Sequence, residues 1–302
     1  MSSQRPYPIV LAHGIARFDF VTQSLRQKLN LALWDWNRAF DRLHYFRGIA
    51  SHLQAHGFEA FKSSVGFADP LPVRAAQLAA EVERILVESG HAKVHIIGHS
   101  MGGLDTRHML VYVPGMADKV ASLTSIGTPH NGTSFANYGL LHGGETAIEV
   151  AREVVDFGGF ETLTLAERQA FNEAARHEEA SNPVVYRVYA SAQTRDKLFG
   201  PLQRPYDIIA AQEGDNDGLV SMQSQLWTSQ LVADDGTVKP VHQFRFPLPA
   251  DHLNEIGWWD VHELCRANWW RLNLLREKRR FETAVKNVYL TIARDVTRLP
   301  TE

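Results

Sequence analysis

The sequence predicts an α/β protein, a mainly parallel sheet flanked by helices. Three observations carry that expectation. Short apolar runs alternate with helical stretches through the first half of the chain, the pattern of a sheet covered on both faces. The run over residues 7–12 is apolar throughout, as in a strand buried on both sides. Another run, Val94-His95-Ile96-Ile97, passes through Gly98-His99-Ser100-Met101-Gly102 directly into a helical stretch.

The elements follow in order. After the first strand, residues 20–40 read as an inserted amphipathic helix, with Val21, Leu25, Leu29, Leu33 and Trp36 on one stripe. It suits a lid or a packed surface helix equally. Residues 42–56 read as a helix ended by Gly57, and residues 58–63 as a strand. Residues 69–72 read as a loop. Residues 73–88 are a helix, with Ala75, Leu78, Ala79, Val82, Ile85 and Leu86 on one face and Gly90 as its stop. The strand at Val94 leads to a helix over 104–112, and a further strand covers 119–126. Strand patterning then lapses, and residues 133–183 read as a helical cap with helices over 145–157 and 165–180. Strands are expected again over 184–190, 205–212 and 243–246. A basic helix over 276–299 carries Phe281, Val285, Val288, Tyr289 and Ile292 on one side. Packing on the body is expected for it, rather than contact with a membrane surface. One domain over 1–302 accommodates all of this.

The stretch at Ser100 points to chemistry. A serine at the tip of a sharp strand-to-helix turn adopts a strained backbone, and residues two positions away must lack a Cβ. Gly98 and Gly102 meet that need, and Gly103 eases packing of the helix on the sheet. Ser100 is then a candidate nucleophile, and the N–H of Met101 at the helix start faces a developing oxyanion. His13-Gly14 closes the first strand, so the N–H of Ile15 is the candidate second donor. Serine needs an adjacent imidazole, itself oriented by a carboxylate. Among 14 histidines, His252 stands out by its place after the last strand; His130, His142, His242 and His262 compete. Asp217, in an Asp/Asn/Gly-rich turn, is the candidate acid, with Asp215, Asp207 and Asp251 as rivals.

Composition excludes several other classes. Hydrophobic residues make up 44% and charged residues 22%, ordinary for a globular protein. A net charge of −3 argues against a nucleic-acid partner. The single cysteine, Cys265, allows neither an intrachain disulfide nor a Cys-rich zinc site. No apolar run reaches transmembrane length, and none at the N-terminus resembles a signal peptide. A cytoplasmic location is the default expectation, with leaderless export left open.

Several motifs together carry a resemblance. They are residues 7–14 ending in His13-Gly14, Tyr45-Phe46-Arg47-Gly48-Ile49, residues 94–104, residues 125–132, Asn216-Asp217-Gly218-Leu219-Val220, and Asp251-His252-Leu253-Asn254-Glu255-Ile256. In this order the chain resembles the bacterial true lipases of the Pseudomonas, Burkholderia and Proteus type. These are triacylglycerol lipases on an α/β-hydrolase fold. The resemblance implies Ser100, Asp217 and His252 as the triad, and Ile15 and Met101 as oxyanion donors. It implies an interfacial lid over 145–157 and a lipid or ester substrate met at a lipid–water interface. A carboxylesterase for small soluble esters, or a catalytically silent binding protein, are the alternatives.

The resemblance also implies a structural calcium, held partly by an aspartate two residues after the catalytic histidine. Here that residue is Asn254, one charge fewer, and Asp207 is a loose match for a second ligand. No cofactor is therefore expected to be required.

Overall fold

The structure is a computed structural model; it describes residues 5–14, 45–66, 69–141, 161–258 and 272–299. The expected insertion over 20–40, the lid over 145–157 and Ile15 lie outside the described residues.

The described elements are, in order, β1 (Ile9–Ala12), α1 (Ile49–Ala55), β2 (Ala60–Lys62), α2 (Leu71–Ser89), β3 (Val94–His99), α3 (Met101–Tyr112) and β4 (Val120–Ile126). Then come α4 (Ser134–Leu141), α5 (Leu165–Ser181), β5 (Val185–Ala190), α6 (Gln203–Glu213), α7 (Met222–Leu226), β6 (Gln230–Val232), β7 (Val238–Arg245) and α8 (Leu272–Val296). The seven strands form one sheet in the order β2-β1-β3-β4-β5-β7-β6. All pairings are parallel except that of the edge strand β6 with β7.

Strand periodicity sorts the core into two layers. Val10, Ala12, Val94, Ile96, Leu123 and Val188 face one side, where they meet Ala75, Leu78, Val82 and Ile85 of α2 and Met109 and Leu110 of α3. Their neighbours Ile9, Leu11, Ile97, Ile126 and Tyr189 face the other side, against Ile49 and Leu53 of α1 and Val285, Tyr289 and Ile292 of α8. The basic C-terminal helix thus packs on the body, as expected. Among the described residues, no helix is long and apolar enough to cross a membrane.

Three local expectations are corrected. The stretch expected as a strand over 205–212 is helix α6. Its short apolar run Ile208-Ile209-Ala210-Ala211 fits either element, and its buried residues Pro205 and Ile209 lie four apart, the spacing of a helix face. Residues 71–72, expected in a loop, open α2: Pro72 sits in the first turn, where its missing N–H costs nothing. The last strand is longer than residues 243–246 and pairs with β6, an antiparallel edge that the sequence reading did not include.

Parallel strands put their C-terminal ends at one edge, and that edge carries the loops of interest. Gly14 follows β1, Ser100 follows β3 and His252 follows β7, while Asp217 lies in the excursion between β5 and β7.

Candidate active site

Ser100 has φ 55° and ψ −129°, one of two non-glycine residues with positive φ among those described. Such a backbone costs roughly 1–3 kcal/mol and persists only where its surroundings enforce it. Here the N–H of Ser100 donates to the carbonyl of Ile126 (2.9 Å), and Thr128 Oγ1 donates to the carbonyl of Ser100 (2.9 Å). Close packing does the rest. A Cβ on Gly102 would run into the carbonyl of Ala12, so α3 lies directly on the end of β1. A Cβ on Gly14 would stand 2.7 Å from Cβ of Ser100. The turn after β1 therefore borders the serine with bare backbone. Ser100 is partly exposed, while every other residue of the elbow is buried.

His252 and Asp217 meet as the sequence suggested. Nδ1 of His252 lies 2.8 Å from Oδ2 of Asp217. The other oxygen, Oδ1, accepts from the N–H groups of Leu219 (2.8 Å) and Val220 (2.7 Å). The backbones of the two loops also join, since the His252 N–H donates to the Asp217 carbonyl (2.9 Å). Asp217 is fully buried, and His252 is nearly so. The His252 ring stands 4.6 Å, centroid to centroid, from that of His99, whose chain neighbour is Ser100. The imidazole–carboxylate pair thus lies at the sheet edge that also carries Ser100.

The rival residues are placed elsewhere. Asp207 is on the exposed face of α6, bound by the Arg195 guanidinium at 2.6 and 2.8 Å. Asp215 is exposed. Asp251 is fully buried and holds the base loop: Oδ1 accepts from the N–H groups of Leu253 and Asn254, and Oδ2 from that of Phe199. Burial pushes its carboxyl up to about 6, aided by the charge of Asp217, against the pull of those three N–H groups. His130 is buried between Ser125 and Arg107 and stacks on Trp227. His242 is exposed on β7, and His142 and His262 lie outside the described residues.

The side-chain atoms that the resemblance would offer to calcium are already engaged. Asn254 Oδ1 accepts from the Asp251 N–H (3.2 Å), and its amide nitrogen donates to the Trp258 carbonyl (2.7 Å). Asp207 already has a cation. One neutral amide and one neutralised carboxylate do not fit a hard cation, which takes several anionic oxygens.

Sequence reasoning missed a second buried constellation beside the first. His99 Nε2 lies 2.9 Å from Oε2 of Glu255, and its Nδ1 lies 2.7 Å from the hydroxyl of Tyr45. His99 and Glu255 are fully buried. Burial, then the charges of Asp217 and Asp251, push the Glu255 carboxyl well above the carboxylate range. Burial and the neighbouring His252 hold His99 well below the usual imidazole range. It too was missed that Arg74, fully buried, clamps both oxygens of Asp105 on α3 and the carbonyl of His13 (3.1 Å). The signals were present: a histidine inside Gly-x-Ser-x-Gly, and two carboxyls flanking His252.

This fold and this site define the class: the chain has the α/β-hydrolase fold. The family described as alpha/beta hydrolase fold matches residues 7–143. Within that fold the chain is similar to triacylglycerol lipases. It is 36% identical to that of Pseudarthrobacter phenanthrenivorans over 135 residues, 44% of this chain but 36% of the relative. The chain therefore spans about a third of the length of the first bacterial relatives it matches. It is 26% identical to triacylglycerol lipase 2 of Saccharomyces cerevisiae over 96% of this chain and 91% of that one. Among solved structures, Staphylococcus hyicus lipase superposes with a TM-score of 0.61 at 18% identity, covering 99% of this chain and 98% of its own.

Proposed function

We propose that this chain is a carboxylic ester hydrolase of the lipase kind, cleaving acylglycerols by two-step acyl transfer. The observation that carries the reading is the bond between His252 and a doubly anchored Asp217, set beside a strained serine elbow. Ser100 Oγ forms a bond to the ester carbonyl carbon while Nε2 of His252 takes its proton. Asp217 accepts from Nδ1–H, which keeps the ring in the tautomer whose Nε2 is free to act as base. The N–H of Met101, at the positive end of α3, stabilises the oxyanion, with Ile15 as its expected partner. His252 returns the proton to the departing alcohol. It then takes one from water, whose oxygen attacks the acyl carbon, and hands it to Ser100 Oγ as the acyl–serine bond breaks and the acid leaves. No step is routed through a metal ion.

The similarity to named triacylglycerol lipases supports an acylglycerol substrate, met at a lipid–water interface. Hydrolysis of a short and a long p-nitrophenyl ester, and of emulsified triacylglycerol, tests it. Long-chain preference that rises above the solubility limit is the expected result. Short-chain preference would make it an esterase of soluble substrates. No turnover, with no labelling of Ser100 by a fluorophosphonate, would make it a binding protein on a hydrolase fold.

A further inference from the structure

Tyr45 opens the second motif of the chain, Tyr45-Phe46-Arg47-Gly48-Ile49, and the reaction above leaves it unused. Its position is unusual. The phenol is buried, and burial holds it protonated, with the Gly14 backbone pulling the other way. A Cβ on Gly14 would stand 2.6 Å from that oxygen. The hydroxyl therefore abuts the turn after β1, one residue before the expected oxyanion donor. On its far side it meets His99 Nδ1 at 2.7 Å.

His99 passes the contact on. Its Nε2 faces Glu255 of the base loop (2.9 Å), and its ring lies against the His252 ring. Glu255 Oε2 is in turn 4.0 Å from Nδ1 of His252. One tautomer satisfies both links. With the His99 proton on Nε2, Tyr45 O–H donates to His99 Nδ1 and His99 Nε2–H donates to Oε2 of Glu255, a residue of the base loop. Buried hydrogen bonds of this kind, in a site with little water, hold their members in one arrangement.

We propose that Tyr45 is a positioning residue that locks the oxyanion turn at Gly14 to the base loop at His252, through the buried His99. The proposal rests on the ester-hydrolase reading of the site. The two ends it joins must be in register at once, because the base and the oxyanion donors act on the same tetrahedral centre. Misplacement of such groups by about an ångström costs on the order of a hundredfold in rate. Packing of the ring alone does not do this. The Tyr45 ring also touches His13, Phe46 and His99, and phenylalanine would keep those contacts while deleting the hydroxyl.

Tyr45→Phe, His99→Gln and the double variant test it in the whole chain, with p-nitrophenyl butyrate as substrate. Each single change is expected to lower kcat about ten- to a hundredfold with KM within about twofold, at a melting temperature near that of the parent. The two losses are expected not to multiply in the double variant, since both break one chain. A Tyr45→Phe enzyme with parental kcat, or losses that multiply, would overturn the proposal. If Tyr45→Phe does not fold, His99→Gln alone carries the kinetic readout. The downfield Nδ1–H proton of His252, read by NMR, reports on the lock without turnover. It is expected to move or exchange faster in Tyr45→Phe, and an unmoved resonance overturns the lock. A parent protein inactive on esters whose His252 resonance does move would refute the functional reading and leave the lock standing.

Discussion

His252 and His99 stand side by side, and each faces a buried carboxyl at almost the same distance, 2.8 Å for Asp217 and 2.9 Å for Glu255. The two pairs differ in what supports the acid and in what the ring can reach. Asp217 has two backbone N–H groups on one oxygen, leaving the other for the imidazole. Glu255 is packed near Asp217 and Asp251, and that company and its burial favour the neutral acid. His252 retains an opening at the loop edge; His99 has none and is capped by Tyr45. A histidine touching an acid is thus not yet a catalytic pair. The acid must be held as an anion, and the second ring nitrogen must be free for the nucleophile.

The comparison can be broken most sharply at the residue both pairs border. Ser100→Ala is expected to abolish ester hydrolysis with little change in melting temperature. The alanine keeps the backbone of the elbow and loses only a partly exposed hydroxyl. Activity surviving within about tenfold would remove Ser100 as nucleophile, since loss of a triad serine costs about six decades.

Next comes the contrast between the two acids. Asp217→Asn is expected to lower kcat by about four decades, because an amide can stabilise the wrong tautomer of His252. Glu255→Gln, nearly isosteric with a neutral acid, is expected to cost about tenfold, through positioning alone. Steady-state kinetics on one soluble ester reads both. Equal losses would mean that the two carboxyls share the role, and the distinction drawn from their backbone donors would fall.

Asp251, the third acid of the cluster, is expected to show itself in stability more than in rate. Its folded carboxyl is raised to about 6. The folded chain therefore binds this proton at a higher pH than the unfolded chain does. Stability withheld at neutral pH begins to return as the pH falls through about 6, and reaches its full size, roughly 3 kcal/mol for a shift of about two units, only below about pH 4. Asp251→Asn cannot titrate. Relative to that variant, the parent should gain stability in urea melts between about pH 8 and about pH 5. A constant difference across that window would mean that the three N–H donors outweigh burial.

The two pairs also differ in how far the sequence reveals them. The elbow at Ser100 is legible because its requirements are local: a strand, small residues two positions away, a helix. Asp217 and His252 are legible through chain order and loop type, even though 205–212, the lead-in to Asp217, is a helix and not the expected strand. The four-residue apolar run there satisfies both periods. The His99–Glu255 contact spans 156 positions and Tyr45–His99 spans 54, and both depend on sheet order, which no local pattern contains. Motif matching marked Tyr45 and Glu255 but gave neither a role. The same holds for Arg74, whose place on α2 reads as a helix surface until Asp105 and the His13 carbonyl meet it.

The smallest expected effect concerns calcium. The base loop has to be rigid, and in the resembling lipases an ion contributes to that. Here the work is divided among protein groups. Asp251 receives three N–H groups, and Asn254 ties the Asp251 N–H to the Trp258 carbonyl, closing the turn just after His252. Asp207, the other ligand considered, lies on the exposed face of α6 with Arg195 on both its oxygens. An ion would have to displace that guanidinium and would still gain only one charged ligand, whereas affinity for calcium follows ligand charge. Dialysis against EDTA is therefore expected to leave both activity and melting temperature unchanged, and added calcium to restore nothing. Asn254→Asp then sharpens the result. The extra carboxylate sits among Asp217, Asp251 and Glu255, so it should weaken the fold in EDTA and regain stability with calcium. A parent protein that itself loses activity in EDTA, reversibly with calcium, would show that the loop is held by an ion and not by Asn254.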